Sequence, residues 1–447
     1  MKYLSLIVLL AISAVTIAQE NISFGGMLEA AGYASSQNEL PLWMYANQSR
    51  ELGARSNVNG TAEIFTTYKL TDSSSVQFKG STFYRNDVSD ELQRKELFIE
   101  FKNTWLRVTA GAKENPEVAQ GLSSTNQNFL WSRNHRPLPG LKLATSKPLR
   151  INNTFSIDAS IAHYQLNDDR FVKDTRLHYK HLALITQLND RTSITSKIQH
   201  VAQWAGTSPQ FGELPNDIEA FIDVFFAKEA QESGEVNEGL NAVGNHIGTY
   251  LLEYNWKAKF GAISWYHEHP FEDGSGTRLA NFPDGVWGVY WQPNNSNFIS
   301  GVLYEFTTTK DQSGSFGVGQ DNYFGNRIYR SGYSYEGEII GFPFILNDPT
   351  LELDESTIAI ISNRVAVHHF GLAGQYKSVL WLLKSSIAKS FGRFINPFPE
   401  PVTTTHHFLE STYPTESFGS FTLILGLDTS SVIETNFGAA LQYRYQF

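Results

Sequence analysis

The 447-residue chain has no cysteine. That excludes a disulfide framework, a thiolate nucleophile and cysteine-bound metal, and it fits an oxidising export route. After the first residues no stretch approaches ~18 uncharged apolar residues, so helical membrane spans are excluded and any membrane residence must use strands. Basic residues are outnumbered, 35 Lys and Arg against 45 Asp and Glu for a net charge of -10. No basic block interrupts that balance, which argues against a nucleic-acid partner. Also missing are the HExxH zinc site, the GxSxG nucleophile elbow, the GxxxxGK[ST] phosphate loop and the dinucleotide fingerprint. The chain is therefore read as no enzyme, with no catalytic residue, no cofactor and no bound metal.

Isolated chemical candidates are weak. His267, Glu268, His269, Glu272 and Asp273 cluster in sequence, with His267 and His269 on one strand face, but no third ligand has a fixed position. His368 with His369 and His406 with His407 point to opposite faces of a strand. Asp284 with Glu272 supplies two carboxylates of the kind glycoside hydrolysis needs, yet chance pairs are the default in so acidic a chain.

What is present is aromatic surface on a polar average: Tyr 20, Phe 31 and Trp 9, with a mean hydropathy of -0.28. A barrel with a greasy exterior and a wet interior has that balance. At the N-terminus Lys2, an apolar run over 3–12 and Thr16, Ile17 and Ala18 have the form of a secretory signal peptide covering 1–18. At the other end Phe437, Ala439, Leu441, Tyr443, Tyr445 and Phe447 alternate with Gly438, Ala440, Gln442, Arg444 and Gln446. This is a two-faced strand of about the 9 to 11 residues that cross a bilayer at a tilt.

The same period repeats upstream. Ala62, Ile64, Thr66, Tyr68 and Leu70 oppose Glu63, Phe65, Thr67 and Lys69, and a short turn leads to Val76, Phe78, Thr82 and Tyr84. A second hairpin joins Leu97, Ile99 and Phe101 to Leu106, Val108 and Ala110. Charges on the other phase, Glu63, Lys69, Lys79, Glu96, Glu100, Lys102 and Arg107, suit a hydrated lumen rather than a dry core. Similar runs continue to the end of the chain. At ~24 residues per strand and its share of loops, the mature length gives roughly 16 to 20 strands. The expected fold is all-β, a transmembrane antiparallel up-and-down barrel of about 18 strands over 57–447 with long extracellular loops.

Three regions break the rhythm. The segment 19–56 is expected to precede the first strand on the periplasmic side, with short helices at 28–33 and 39–50. The segment 115–149 holds Pro116, Pro137, Pro139 and Pro148, cannot be one long strand, and is expected to fold inward or cover a mouth. In 216–232, Ile218, Phe221, Ile222 and Phe225 follow helical spacing, and Asn216 with Glu219 forms a capping box.

Several stretches carry a resemblance: LWMYANQSRELG at 42–53, GLSSTNQNFLWSRNHRPLPGLKLA at 121–144, EDGSGTRLANFPDGVWGVYW at 272–291 and DNYFGNRIYRSGYSYEGEIIGFPF at 321–344. Together they resemble the Wzi family of capsule assembly proteins in its Bacteroidetes form, over nearly the whole mature chain. The resemblance implies an outer-membrane barrel of about eighteen strands, a small periplasmic helical bundle, and a role in holding capsular polysaccharide at the cell surface. Its partners would be surface polysaccharide, outer-membrane lipid and lipopolysaccharide, and the barrel assembly machinery, with the protein a monomer.

Rings that cover pyranose faces, and charged groups that pair with uronic acids, nominate Trp287, Tyr290, Tyr323, Tyr329, Arg330, Tyr333 and Tyr335 as polysaccharide contacts. An aromatic girdle is the competing explanation. Arg133 and Arg136 are expected to line the lumen or clamp an internal loop. The competing function is a diffusion channel, since an 18-strand barrel encloses an aqueous pore unless something fills it.

Overall fold

The structure, a computed structural model, describes residues 21–228, 243–272, 276–295, 298–313, 321–354 and 356–447. The expected signal peptide at 1–18 lies outside the described residues.

Alternating residues with small polar turns pair into one antiparallel sheet that closes on itself. Its strands are β1 (Ile22–Ser35), β2 (Val58–Thr71), β3 (Ser74–Arg85), β4 (Leu92–Lys102), β5 (Leu106–Ala112) and β6 (Pro139–Thr145, continued by Leu149–Arg150). There follow β7 (Phe155–Gln165), β8 (Arg176–Asn189), β9 (Thr192–Trp204), β10 (Asn245–Ala258), β11 (Gly261–Phe271) and β12 (Gly285–Pro293). The last six are β13 (Ile299–Thr308), β14 (Val365–Tyr376), β15 (Val379–Gly392), β16 (Pro397–Pro414), β17 (Ser420–Ser430) and β18 (Asn436–Gln446). Both runs of β6 pair with β7, so the nineteen sheet segments make an 18-strand barrel.

Closure comes from β1 against β18, in register from Met27 opposite Gln446 to Ser35 opposite Gly438. At this seam Phe447 exchanges backbone hydrogen bonds with Gly26 (2.9 and 3.1 Å). A Cβ on Gly26 would stand 2.7 Å from the Glu63 carbonyl oxygen as well as 2.5 Å from the tip of the Phe447 ring, so a side chain there would press on the β2 backbone.

This seam corrects the expectation for 19–56. Residues 22–35 are a wall strand, not a helix before the barrel. The reason is pairing: Gly25, Gly26, Ala30, Ala31 and Gly32 show little alternation, but both neighbours of β1 offer complete hydrogen-bond ladders. The helical part shrinks to α1 (Leu42–Tyr45) between β1 and β2. It therefore leaves the end of the barrel opposite the first strand's start. That end carries the long connections 36–57, 113–138, 205–244 and 309–364, while the other end carries short turns such as 72–73, 190–191 and 377–378. In outer-membrane barrels short turns are periplasmic and long loops extracellular, so α1 belongs to the outer side.

Facing is set by the pleat. Phe24, Leu28, Ile64, Ile99, Leu182, Leu252, Phe437 and Leu441 are exposed on the outside. Tyr68, Trp105, Trp256, Phe260, Tyr376 and Tyr445, also exposed, ring the short-turn end as an aromatic girdle. The inward charges pair: Lys79 bridges Glu63 (2.9 Å) and Glu96 (2.7 Å), and Lys113 meets Glu100 at 2.6 Å.

The second helix, α2 (Ile218–Phe226), is capped by Asp217, whose side chain accepts from the Ala220 N–H at 2.8 Å, rather than by the expected Asn216. It lies against the outside of the wall. Phe221 packs on His163, His178 and Trp204, and Phe225 on His178. Those wall residues point away from the lumen, because their neighbours Ala162, Tyr179 and Val201 face the interior core. The other stripe of α2, Ile218, Ile222 and Phe226, is exposed and continues the apolar exterior.

Candidate functional site

The inward wall is not only charged. Val201, Ile247, Val286, Val365, Val367, Ala388, Phe408, Ile424 and Ala440 are buried and join one core with loop residues Trp43, Met44, Phe129, Leu130, Tyr323, Phe342 and Phe344. Described residues of three of these connections, 36–57, 113–138 and 309–364, therefore fold into the barrel as a plug. The driving force is ordinary apolar burial, since a bare lumen would leave these wall side chains in water.

Wall and plug fit locally. Gly426 and Gly438 lack side chains where α1 arrives; a Cβ there would meet Pro41 at 2.8 Å and Met44 at 2.5 Å. Trp43 is buried among wall groups, donating Nε1–H to Ser386 Oγ at 3.0 Å, with its ring edge-on to Phe344 and Lys384 above it at 5.1 Å. Around the circumference, Asp428 of β17 accepts from Leu42 N–H (2.8 Å), and Glu268 of β11 accepts from Phe129 N–H (2.8 Å). Gln199 of β9 exchanges amide bonds with Asn128, and His369 of β14 reaches the Leu122 carbonyl at 2.7 Å. Glu305 of β13, fully buried, accepts from Ser123 Oγ, Ser124 N–H, Ser124 Oγ and Tyr266 OH, all at 2.6 to 2.8 Å.

Loop meets loop at Glu336. Its carboxylate pairs with Arg50 at 2.6 Å and with Arg136, tying three loops in one cluster. Arg133 pairs with Glu114 and Glu117, the latter at 2.8 Å. Burial works against ionisation of Glu114, but Lys95 and Arg133 beside it hold its carboxyl down at about 2. Arg133 and Arg136 are thus internal clamps.

The seven residues nominated as polysaccharide contacts do not form one surface. Tyr323, Tyr329, Arg330, Tyr333 and Tyr335 are buried in the plug, where Tyr333 stacks on Phe324 and Tyr323 hydrogen-bonds Asn281 at 2.5 Å and Asp284 at 3.2 Å. Their rings are spent on loop packing and offer no face to the exterior. Tyr290 faces the lumen and accepts from Gln120 at 2.8 Å. Trp287 is on the outer wall, stacked 3.7 Å from His267. Because the seven share sequence texture and not position, they are corrected to plug, lumen and girdle residues.

The acidic and histidine candidates also separate. His267 and His269 do share the outer face, while Glu268 points inward. Glu272 accepts from Asn322 and Phe324 N–H, and Asp284 from Asp311 and Gln312 N–H, so both are loop staples. Among the described residues no group of three His, Asp or Glu is placed to hold a metal ion.

At the loop end a wide polar cleft of about 630 Å³ opens between Asn38, Arg55, Asn57, Asp87, Val88 and Ser89. These residues were not singled out from sequence; the only available signal was a run of small polar residues at two strand ends.

The comparisons bear on the fold. No protein-family model matches the chain, and no curated protein matches it in sequence. Among solved structures it is similar to Wzi of Escherichia coli, described as an outer-membrane, carbohydrate-binding β-barrel involved in group 1 capsule assembly. That likeness has a TM-score of 0.61 at 12% identity, over 93% of this chain and 83% of that one. A double variant of OccD1 (OprD) matches with a TM-score of 0.50 at 10% identity, over 96% of both chains. This chain has the outer-membrane β-barrel fold. At these identities the likeness carries the architecture and leaves the function to the site.

Proposed function

We propose that the protein is a closed surface barrel that binds and holds exported polysaccharide, capsular in type, at its loop end, and not a diffusion channel. The observation that carries this reading is the plug: described residues of loops 36–57, 113–138 and 309–364 share one buried core with the inner wall. Such a lumen is expensive to empty, because every step of opening exposes apolar side chains and breaks wall anchors such as Glu305. The polar cleft at the loop end offers amides, a guanidinium and a carboxylate to sugar hydroxyls, by many weak contacts rather than one deep pocket. The carbohydrate-binding description of the E. coli barrel of similar fold supports the same ligand class.

Single-channel recording in a planar bilayer tests it. The full mature chain is expected to be silent. A variant with 40–54, 115–131 and 321–344 all replaced by Gly/Ser linkers keeps the eighteen strands in the wall and is expected to conduct. Steady open-pore current from the unaltered protein would overturn the closed reading and establish a channel. Surface polysaccharide lost to the medium on deletion of the protein is the cellular counterpart, and unchanged retention would count against the holding role.

A further inference from the structure

Beneath the plug the inner wall from β6 to β11 and the plug segment 115–131 enclose a second space, a chamber of about 420 Å³. That lies within the ~300–1,000 Å³ of small-ligand pockets. Asp158, Lys197 and Glu253 of its lining sit in the short-turn halves of their strands, so the chamber faces the end opposite the loops.

Its two sides differ. One is an aromatic corner in which Trp131 meets Tyr164 at 5.1 Å and Tyr179 at 5.3 Å. The other carries two lysines, Lys142 and Lys197. Elsewhere in the lumen Lys79, Lys95 and Lys113 are each paired with glutamates. Among the described residues neither Lys142 nor Lys197 has a carboxylate within ion-pair distance; Lys142 stands 5.9 Å from the Tyr179 ring. The nearby acid Asp158 is engaged by His181 at 3.0 Å and by Thr145. Glu253, also in the lining, hydrogen-bonds with Asn255 and Ser264 and lies near enough to Lys197 for their charges to interact.

Flat rings bind the apolar face of a pyranose, ammonium groups without a direct carboxylate contact bind a carboxylate, and the amides and carboxylates of the lining bind hydroxyls. We propose that this chamber is a binding site for an acidic sugar, one or two rings long, with its carboxylate toward Lys142 and Lys197 and a ring face on the corner of Trp131, Tyr164 and Tyr179. It is a site on the periplasmic side and does not rest on the surface-holding role.

The test is saturation-transfer NMR and calorimetry on the refolded full mature chain in detergent, with D-glucuronate as probe and D-glucose as its neutral match. Glucuronate is expected to bind saturably and at least tenfold more tightly than glucose, and K142A/K197A to remove that preference. Should the double alanine variant fail to refold, K142M/K197M keeps the side-chain volume and makes the same prediction, and W131F is expected to weaken both sugars. No saturable glucuronate binding, or binding unchanged in the lysine variants, would overturn the proposal. Cells carrying K142A/K197A are expected to hold surface polysaccharide at the parental level, so the two readings fail in different measurements.

Discussion

Trp43→Ala tests whether the plug is a folded part of the barrel. Trp43 is 1% exposed and makes contacts with Phe344, His369, Lys384 and Ser386. Removing a buried tryptophan costs about 3–5 kcal/mol. Ser386 Oγ is not orphaned, because it also bonds His369 Nδ1 at 2.7 Å, so no further hydrogen-bond penalty is added. At ~1.4 kcal/mol per tenfold, the lower figure raises the population with 36–57 released from the lumen by roughly 100-fold. The assay is chymotryptic cleavage after Tyr45 in proteoliposomes, under conditions where opening and closing are fast relative to cutting, so that the rate reports the open fraction. Heat-modifiable migration of the barrel is expected to be unchanged. A cleavage rate within threefold of the parent would refute the argument that α1 is held by wall packing.

Three other outcomes follow from the same contacts. Glu305→Ala leaves buried donors of Ser123, Ser124 and Tyr266 without their acceptor and is expected to cost ~3 kcal/mol or more in chemical unfolding, Glu305→Gln less; equal midpoints for all three proteins would contradict it. Burial pushes Asp284 up to about 6 against the N–H donors of Gln312 and Asp311. A raised acid takes up its proton more readily in the folded state, so the contact of Asp284 with 311–312 should tighten as pH falls from about 7 toward 4, by up to ~3 kcal/mol. Asp284→Asn should remove that acid-side gain, and loop proteolysis followed across this pH range in both proteins checks the sign. Phe221→Ala should free α2 from the outer wall, speeding amide exchange over 218–226 by ~100-fold while leaving strand protection intact; unaltered exchange would mean that the helix is held by something else.

Much of this architecture was legible in the chain. Period-2 alternation, inward charges such as Lys79 and Glu96, and the two-faced end at 437–447 specify a closed membrane sheet, and residues per strand give about eighteen. The absence of long apolar runs after the first residues removes helical membrane spans. Proline spacing marks 115–149 as irregular, and its plug segment folds inward, where Arg133 pairs with Glu114 and Arg136 with Glu336. These properties belong to neighbouring residues, which is why sequence alone determined them.

Only the tertiary structure decided where the irregular parts go. Strand β1 has too many glycines and alanines to alternate, and becomes a strand because β2 and β18 supply its ladders. Tyr323, Tyr333 and Tyr335 look like sugar contacts until the inner wall is seen to offer Val365, Ile424 and Phe408 as apolar surface for their loop to bury. The helix α2 lies outside for the converse reason, that Phe221 and Phe225 find His178 and Trp204 on the lipid-facing phase. Lys142 and Lys197, 55 positions apart in sequence, share a chamber only because β6 and β9, with two strands between them, curve around one closed wall. Periodicity fixes that a strand has two faces; which loop covers which face depends on contacts between residues far apart in the chain.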